Sequence, residues 1–227
     1  MSSLYESLCQ SVAEDRDLLA IAADARPGQP VPNLFMAAVH WLLMEGAQHP
    51  VSDYYPGINP EMTAHGDPYP FFRSFCLEHS EEIADLISTR LVQTNVVRRS
   101  AVLLPAFAVA MGRDAGQPLS LVEIGASAGF CSGTGIPIPI ATGGAGATLI
   151  PRSNCRPLSA EGGGRRSPLP GSIPQVVFRV GLDLNPVDIR DPDAVDWLQA
   201  LVWPERFDEA RMLEDALAMA KDDPPQI

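Results

Sequence analysis

The stretch from Leu119 to Gly129 constrains the fold more than any other part of the sequence. It runs Leu-Ser-Leu-Val-Glu-Ile-Gly-Ala-Ser-Ala-Gly, an apolar run that ends in a turn of small residues. This pattern predicts a buried β-strand that leads into a tight loop and then a helix. Two kinds of site use such a turn. One is a glycine loop whose backbone N–H groups approach a nucleotide-like ligand, and the other is a strained elbow that exposes a serine nucleophile.

The serine alternative, a hydrolase using Gly125-x-Ser127-x-Gly129, is disfavoured by residue order. In the α/β-hydrolase arrangement the nucleophile comes first, then the acid, then the histidine. All four histidines of this chain precede Ser127: His40, His49, His65 and His79. Catalytic triads occur in other orders as well, so the hydrolase stays open as a third-ranked alternative.

The glycine-loop alternative fits the same stretch better. The pattern apolar-apolar-Glu123-Ile-Gly125-x-x-x-Gly129 resembles the first motif of class I S-adenosylmethionine-dependent methyltransferases. In such a loop the glycines permit close approach of the backbone, and the N-terminus of the following helix adds a favourable field. Ser127 departs from the pattern, because a glycine usually stands there. Its side chain could crowd the ligand or form a hydrogen bond with it.

A second apolar run, beginning at Gln175, predicts another strand that ends at Asp183. Its ending, Val-Gly-Leu-Asp-Leu-Asn-Pro, resembles the second strand of the same methyltransferases, whose terminal acid binds the ribose hydroxyls. A carboxylate suits this role because it accepts hydrogen bonds from two vicinal hydroxyls. The alternative is a strand-end turn with Asp183 and Asp188 solvated. Gly129 and Asp183 are 54 residues apart, whereas about 20 residues are usual in nucleotide-binding folds.

Helical patterns surround these two strands. The predicted helices cover residues 3–24, Leu34 to Glu45 with Asn33 as the N-cap, Phe71 to Val92, Val96 to Met111, Asp193 to about Leu201, and Phe207 to about Lys221. Residues 49–70 are interpreted as a proline-rich connection pinned by buried rings, with a ligand wall as the alternative. The expected fold class is therefore α/β. A helical region over residues 1–115 precedes a partial Rossmann-like parallel sheet over residues 116–227.

Charge and composition exclude several classes of protein. The formal net charge is −12 and Lys221 is the only lysine, so we expect no nucleic-acid or anionic-membrane partner, since phosphate contacts need Lys and Arg. The four cysteines form no Cys-x-x-Cys pair, which favours reduced thiols over a metal site. The N-terminus has acids where a signal peptide needs a basic and then an apolar segment. We therefore expect a cytoplasmic protein whose partner is a small-molecule ligand.

Several motifs along the chain together resemble one family. In order they are Asn33-Leu-Phe-Met-Ala-Ala-Val-His-Trp-Leu-Leu43, His49-Pro with Tyr54-Tyr55-Pro56, Thr89-Arg with Gln93-Thr-Asn95, Glu123 to Gly129, Gly181-Leu-Asp-Leu-Asn-Pro186 and Trp197-Leu-Gln-Ala-Leu-Val-Trp-Pro204. The sequence resembles the uncharacterised bacterial and fungal proteins called domain of unknown function 2332. The resemblance covers nearly the whole chain except residues 132–168. It implies a Rossmann-like fold and supplies no established activity.

Residues 132–168 depart from that family. Its members continue after the glycine loop with a pattern like Asp-Arg-Tyr-x-Tyr-x-Tyr, whereas this chain has Ser132-Gly-Thr-Gly-Ile-Pro-Ile-Pro-Ile140. The codons for Gly133-Thr-Gly-Ile-Pro-Ile-Pro-Ile140, read in a frame that starts at the last base of each codon, can encode Asp-Arg-Tyr-Ser-Tyr-Ser-Tyr. We interpret the segment as translated out of the ancestral frame, with a true flexible insert as the alternative. Its Gly/Ala/Pro/Ser/Arg composition also predicts disorder over residues 132–172. Family members extend further, so we expect the chain to be truncated.

These observations favour an S-adenosylmethionine-type nucleoside as the ligand and cofactor. The expected binding residues are Glu123, Gly125, Ser127, Gly129 and Asp183. No catalytic residue is nominated, because such enzymes often act by positioning alone. The second-ranked alternative is a non-catalytic or decayed fragment.

Overall fold

The computed structural model describes residues 2–59, 64–93, 95–99, 103, 106, 119–130, 176–222, 224, 226 and 227. The chain divides into two compact units, Met1–Thr94 with Pro192–Ala210 and Asn95–Asp191 with Arg211–Ile227. The boundary predicted at residue 115, the segment 132–168 interpreted as frame-shifted and the disorder predicted over 132–172 lie outside the described residues. So does most of the helix predicted from Val96 to Met111.

The first unit is helical. Its elements are α1 (Ser3–Val12), α2 (Arg16–Ala22), α3 (Val31–Met44), a 3₁₀ helix (Pro50–Tyr54), α4 (Tyr69–Glu78), α5 (Ser80–Thr89) and α6 (Pro192–Ala200). Helix α3 is apolar nearly all round and packs against α5 and α6. Leu34 and Val39 of α3 are fully buried, and each large apolar side chain buried in this way contributes about 1.5–3 kcal/mol.

The helix predicted over residues 3–24 is in fact two helices, because Asp15 interrupts it. The Asp15 carboxylate accepts hydrogen bonds from the backbone N–H groups of Asp17 (2.9 Å) and Leu18 (3.1 Å), which makes Asp15 the N-cap of α2. The helix predicted from Phe71 to Val92 is likewise divided, with His79 between α4 and α5.

Helix α3 begins at Val31, so the prediction of Asn33 as its N-cap is wrong. Pro30 is the N-cap and Pro32 lies in the first turn. The fixed φ of proline suits a helix start, and its missing N–H is one that the first turn leaves unpaired in any case.

The segment that follows α3 contains a buried ring, as one interpretation of residues 49–70 predicts. Tyr55 is fully buried. Its ring lies 6.3 Å from that of Tyr5 and 5.6 Å from that of His40, measured between centroids. The connection is therefore anchored to the helical core at Tyr55.

The second unit contains a parallel pair of strands, β1 (Leu119–Ile124) and β2 (Val176–Leu182). The last helix, α7 (Phe207–Asp222), has its first four residues in the first unit and the rest in the second. The α/β class is thus confirmed in its coarse form, as helices together with a parallel sheet.

The prediction that β1 is buried is wrong. Val122 is 59% exposed and Ile124 is 86% exposed, both on one face of the strand. In the part of the chain that the structure describes, only two strands pair, and nothing covers that face of the sheet. No helix among the described residues is long and apolar enough to cross a membrane.

Candidate functional site

The carboxyl ends of β1 and β2 lie side by side. In the parallel register Glu123 is opposite Gly181 and Ile124 is opposite Leu182. The loop from Gly125 to Gly129 therefore leaves β1 at the same edge at which Asp183 leaves β2. This arrangement brings together two sequence features that are far apart along the chain, and it is the edge at which ligands bind in open α/β sheets.

Three residues of the loop have a left-handed backbone conformation, with φ values of +74° at Gly125, +51° at Ser127 and +76° at Gly129. Glycine adopts this region without steric cost. At Gly125 the requirement is purely conformational, since a Cβ there would meet no atom within 4 Å. Ser127 adopts the same region as a non-glycine residue, at a cost of about 1–2 kcal/mol.

Gly181 lets the loop approach β2 closely. A Cβ at this position would lie 2.7 Å from the Cβ of Ala126 and 3.1 Å from Ile227. The Gly181 N–H donates to the carbonyl of Gln226 at 2.6 Å. The glycine of the Val-Gly-Leu-Asp motif is therefore needed for space rather than for an unusual φ.

The Asp183 carboxylate joins the end of β2 to the loop. Its Oδ2 accepts from the Ser127 N–H at 2.8 Å, and its Oδ1 accepts from the Asn185 N–H at 2.8 Å. In the opposite direction, the Val187 N–H donates to the Ser127 carbonyl at 3.1 Å. The two predicted halves of the site, the glycine loop and the acid of the second strand, are in direct contact.

Asn95 is a loop residue whose position at this site the sequence does not predict. Its Nδ2 donates to the Ser127 Oγ at 2.8 Å, and its Oδ1 accepts from the Ala128 N–H at 3.3 Å. The Gln93-Thr-Asn95 motif contributes to the family resemblance, and it is the sequence feature that could have pointed to Asn95. Its side-chain partners could not be read from sequence, because they lie more than 30 residues away.

Every backbone N–H of the loop donates to an acceptor within the same unit. The pairs are Gly125 and Ala126 to the Leu182 carbonyl (2.8 and 3.4 Å), Ser127 to Asp183 Oδ2 (2.8 Å), Ala128 to Asn95 Oδ1 (3.3 Å) and Gly129 to the Ala126 carbonyl (2.7 Å). Two of the acceptors are side chains and the others are backbone carbonyls. The loop is thus held in one conformation by its own surroundings.

The predicted binding residues do not share one degree of exposure. Glu123 is partly exposed at the end of β1, and Asp183 is partly exposed just beyond β2. Ser127 and Gly129 are buried, with Ser127 8% exposed. The two acids therefore face solvent more than Ser127 and Gly129 do, whereas Gly125 is itself exposed.

The Ser127 hydroxyl is not arranged as a nucleophile. A serine nucleophile needs a base that takes its proton. The partner of the Ser127 Oγ is the Asn95 amide nitrogen, which is a donor and has no basic lone pair. Among the described residues, no group of three or more His, Cys, Asp and Glu side chains is placed to hold a metal ion.

Comparison with known proteins gives one family. A family model described as "Uncharacterized protein conserved in bacteria (DUF2332)" matches residues 1–227. No curated protein and no solved structure matches the chain. The match spans both units and includes the glycine loop, Asp183 and Asn95. The chain therefore belongs to the DUF2332 family of uncharacterised proteins conserved in bacteria.

Proposed function

We propose that the second unit is a Rossmann-like, methyltransferase-like fold whose loop from Gly125 to Gly129 binds an S-adenosylmethionine-type nucleoside. The observation that carries the proposal is the hydrogen bond from the Ser127 N–H to the Asp183 carboxylate across the ends of two parallel strands. It joins a glycine loop to the acid of the neighbouring strand, which is the pairing that nucleoside-binding α/β folds use.

Asp183 would bind the ribose. A carboxylate has about four acceptor sites on its two oxygens, so it can hold the loop and accept from ribose hydroxyls at the same time. The Ser127 and Asn185 N–H groups fix its orientation. A ribose-binding acid with a fixed orientation loses less conformational entropy when the ligand arrives.

Glu123 would supply negative charge at the end of β1. It lies opposite Gly181 in the register, next to the loop and one strand away from Asp183. S-adenosylmethionine carries an ammonium and a sulfonium, and two carboxylates at one strand edge attract such a cationic ligand. The strand edge therefore offers hydrogen-bond acceptors and negative charge together.

Gly125 and Gly129 would set the shape of the loop. Their positive φ values turn the backbone tightly at both ends of the segment. Ser127 completes the turn, with its hydroxyl held by Asn95. No catalytic group is assigned, because methyl transfer from a sulfonium can proceed by positioning alone.

Isothermal titration calorimetry with S-adenosylmethionine tests the proposal. We expect the wild-type chain to bind with a Kd on the order of micromolar, or about 8 kcal/mol of binding free energy. Asp183→Asn keeps an acceptor for the Ser127 N–H but removes the charge, and we expect it to weaken binding at least about ten-fold. Asp188→Asn is the matched control, since Asp188 is exposed and pairs with Arg190.

Two results would contradict the proposal. One is the absence of binding heat with folded wild-type protein at millimolar ligand, which would favour a non-catalytic protein without this ligand. The other is equal binding by Asp183→Asn and Asp188→Asn. Circular dichroism of both variants establishes that they are folded.

A further inference from the structure

The hydrogen bonds that the loop N–H groups donate indicate which nucleosides the site accepts. A glycine loop binds a phosphate by pointing free backbone N–H groups at its oxygens. In this loop all five N–H groups from Gly125 to Gly129 already donate to the chain itself. A phosphate at the loop would have to displace an acceptor that is covalently part of the protein.

We infer that the loop excludes phosphate and selects a phosphate-free, cationic nucleoside, with Asn95 as the residue that sets this specificity. The inference rests on the proposed nucleoside site and narrows its ligand. Nucleotides and dinucleotides are the ligands that it rejects, although similar glycine loops bind them.

The two side-chain acceptors act in different ways. Asp183 Oδ2 occupies the Ser127 N–H at 2.8 Å and places a negative charge where a phosphate oxygen would have to lie. A phosphate oxygen and the Asp183 carboxylate would repel one another at this amide, and such repulsion between like charges is a usual means of rejecting a wrong partner. The same charge attracts an ammonium or sulfonium.

Asn95 occupies the next amide without any charge. Its Oδ1 accepts from the Ala128 N–H, and its Nδ2 holds the Ser127 hydroxyl. Removing this side chain frees the Ala128 N–H and leaves the charge of the site unchanged. Replacing Asn95 should therefore allow a phosphate to bind at the Ala128 N–H while the attraction for cations is kept.

Adenosine and adenosine 5′-monophosphate form the probe pair, because they share base and ribose and differ in the phosphate. We expect wild-type protein to bind the monophosphate at least about ten-fold more weakly than adenosine in calorimetry. Asn95→Ala should reduce the ratio of the two dissociation constants, monophosphate over adenosine, about five-fold, because it makes one hydrogen-bond donor available. Asn33→Ala, at an exposed asparagine of α3, is the matched control and should leave the ratio unchanged.

A second variant moves the ratio in the opposite direction. Asn95→Asp keeps an oxygen acceptor for the Ala128 N–H and adds a negative charge beside the loop. It should weaken monophosphate binding further and strengthen S-adenosylmethionine binding, again by about five-fold each. Since the shape of the side chain is retained, this variant stays informative if Asn95→Ala fails to fold.

The inference is overturned if wild-type protein binds the monophosphate as tightly as adenosine, or if neither Asn95 variant changes the ratio. Loss of all nucleoside binding by wild-type protein would instead refute the proposed function. In that case inorganic pyrophosphate is titrated into ¹⁵N-labelled protein. Amide shifts from Gly125 to Gly129 in wild-type protein overturn the inference, whereas a shift at Ala128 confined to Asn95→Ala supports it.

Discussion

The Asp183 carboxylate accepts a 2.8 Å hydrogen bond from the backbone N–H of Ser127, which lies 56 residues earlier in the chain. Ser127 is 8% exposed, so this N–H is largely withdrawn from water. A buried donor that loses its acceptor costs more than an average hydrogen bond contributes. The bond therefore gives Asp183 a structural role in addition to its proposed role in ligand binding.

Asp183→Ala should lower the free energy of unfolding by about 1–3 kcal/mol, because it leaves the Ser127 N–H unpaired. Asp183→Asn retains an oxygen acceptor and should lose less than half of that amount. Urea denaturation of the two variants measures the difference. The control is Asp188→Ala, whose ion pair with Arg190 is exposed and should contribute little to stability. Equal losses for Asp183→Ala and Asp188→Ala would contradict the structural role.

Gly181→Ala should be destabilising, because its Cβ would lie 2.7 Å from the Cβ of Ala126. Overpacking of this kind costs about 1–3 kcal/mol. Gly57→Ala provides the comparison, since the nearest atom to a Cβ there is the Pro204 carbonyl oxygen at 3.8 Å. Thermal unfolding of both variants should show a lower Tm for Gly181→Ala alone. A wild-type Tm in that variant would mean that the loop does not approach β2 as closely as described.

At position 127 we expect the usual order of stability, in which an alanine variant is more stable than a glycine variant, to be reversed. At ordinary positions alanine is more stable than glycine by about 0.5–1 kcal/mol. At Ser127, with φ at +51°, both variants lose the hydrogen bond from Asn95, but Ser127→Ala keeps the strain whereas Ser127→Gly relieves it. We expect Ser127→Gly to be more stable than Ser127→Ala by about 1 kcal/mol in chemical denaturation. If Ser127→Ala is more stable than Ser127→Gly, Ser127 does not adopt this conformation.

Asp15 should make the first unit sensitive to acid. The Tyr69 hydroxyl donates to its carboxylate at 2.6 Å and Arg73 Nε lies 2.6 Å away. The hydrogen bond from Tyr69, together with those from the backbone and Arg73, holds the pKa of Asp15 below its ordinary value. A lowered pKa contributes stability that is fully present above the unfolded-state pKa, about 3.9. That stability is lost as the pH falls through the folded-state pKa.

The check is the urea midpoint of wild-type protein and Asp15→Asn between pH 7 and pH 2. The wild-type advantage should be constant at neutral pH and shrink below about pH 4. Asp24→Asn, at an exposed aspartate, is the comparison variant. An advantage of Asp15 that persists undiminished at pH 2 would mean that folding does not lower the pKa of its carboxyl group.

The sequence predicts the two strands well, because an apolar run that ends in glycine or in an acid is a local signal. Strand β1 starts at Leu119 and β2 ends at Leu182, close to the predicted limits. Helix breaks were harder to predict. The apolar stripe of residues 3–24 continues through Asp15, and only the capping hydrogen bonds of Asp15 reveal that the helix stops there.

The contacts of the candidate site depend on chain segments that are distant in sequence. The glycine loop and Asp183 are predicted to serve one ligand, but only the register of β1 and β2 shows that they lie at the same edge of the sheet. The role of Asn95 depends on where its side chain meets Ser127 and Ala128, and no periodicity or spacing carries that information. The exposure of Ile124 was missed for a similar reason, since burial depends on which other strands and helices cover the sheet.

The central claim is that the strand edge at Gly125 to Gly129 and Asp183 binds an S-adenosylmethionine-type nucleoside. Titration of ¹⁵N-labelled protein with S-adenosylmethionine, followed by amide chemical shifts, tests both the binding and its location. We predict saturable shifts that are largest at Gly125, Ser127, Gly129 and Asp183 and that weaken in Asp183→Asn. Shifts confined to the helical unit of Met1–Thr94, or none at millimolar ligand, would contradict the claim.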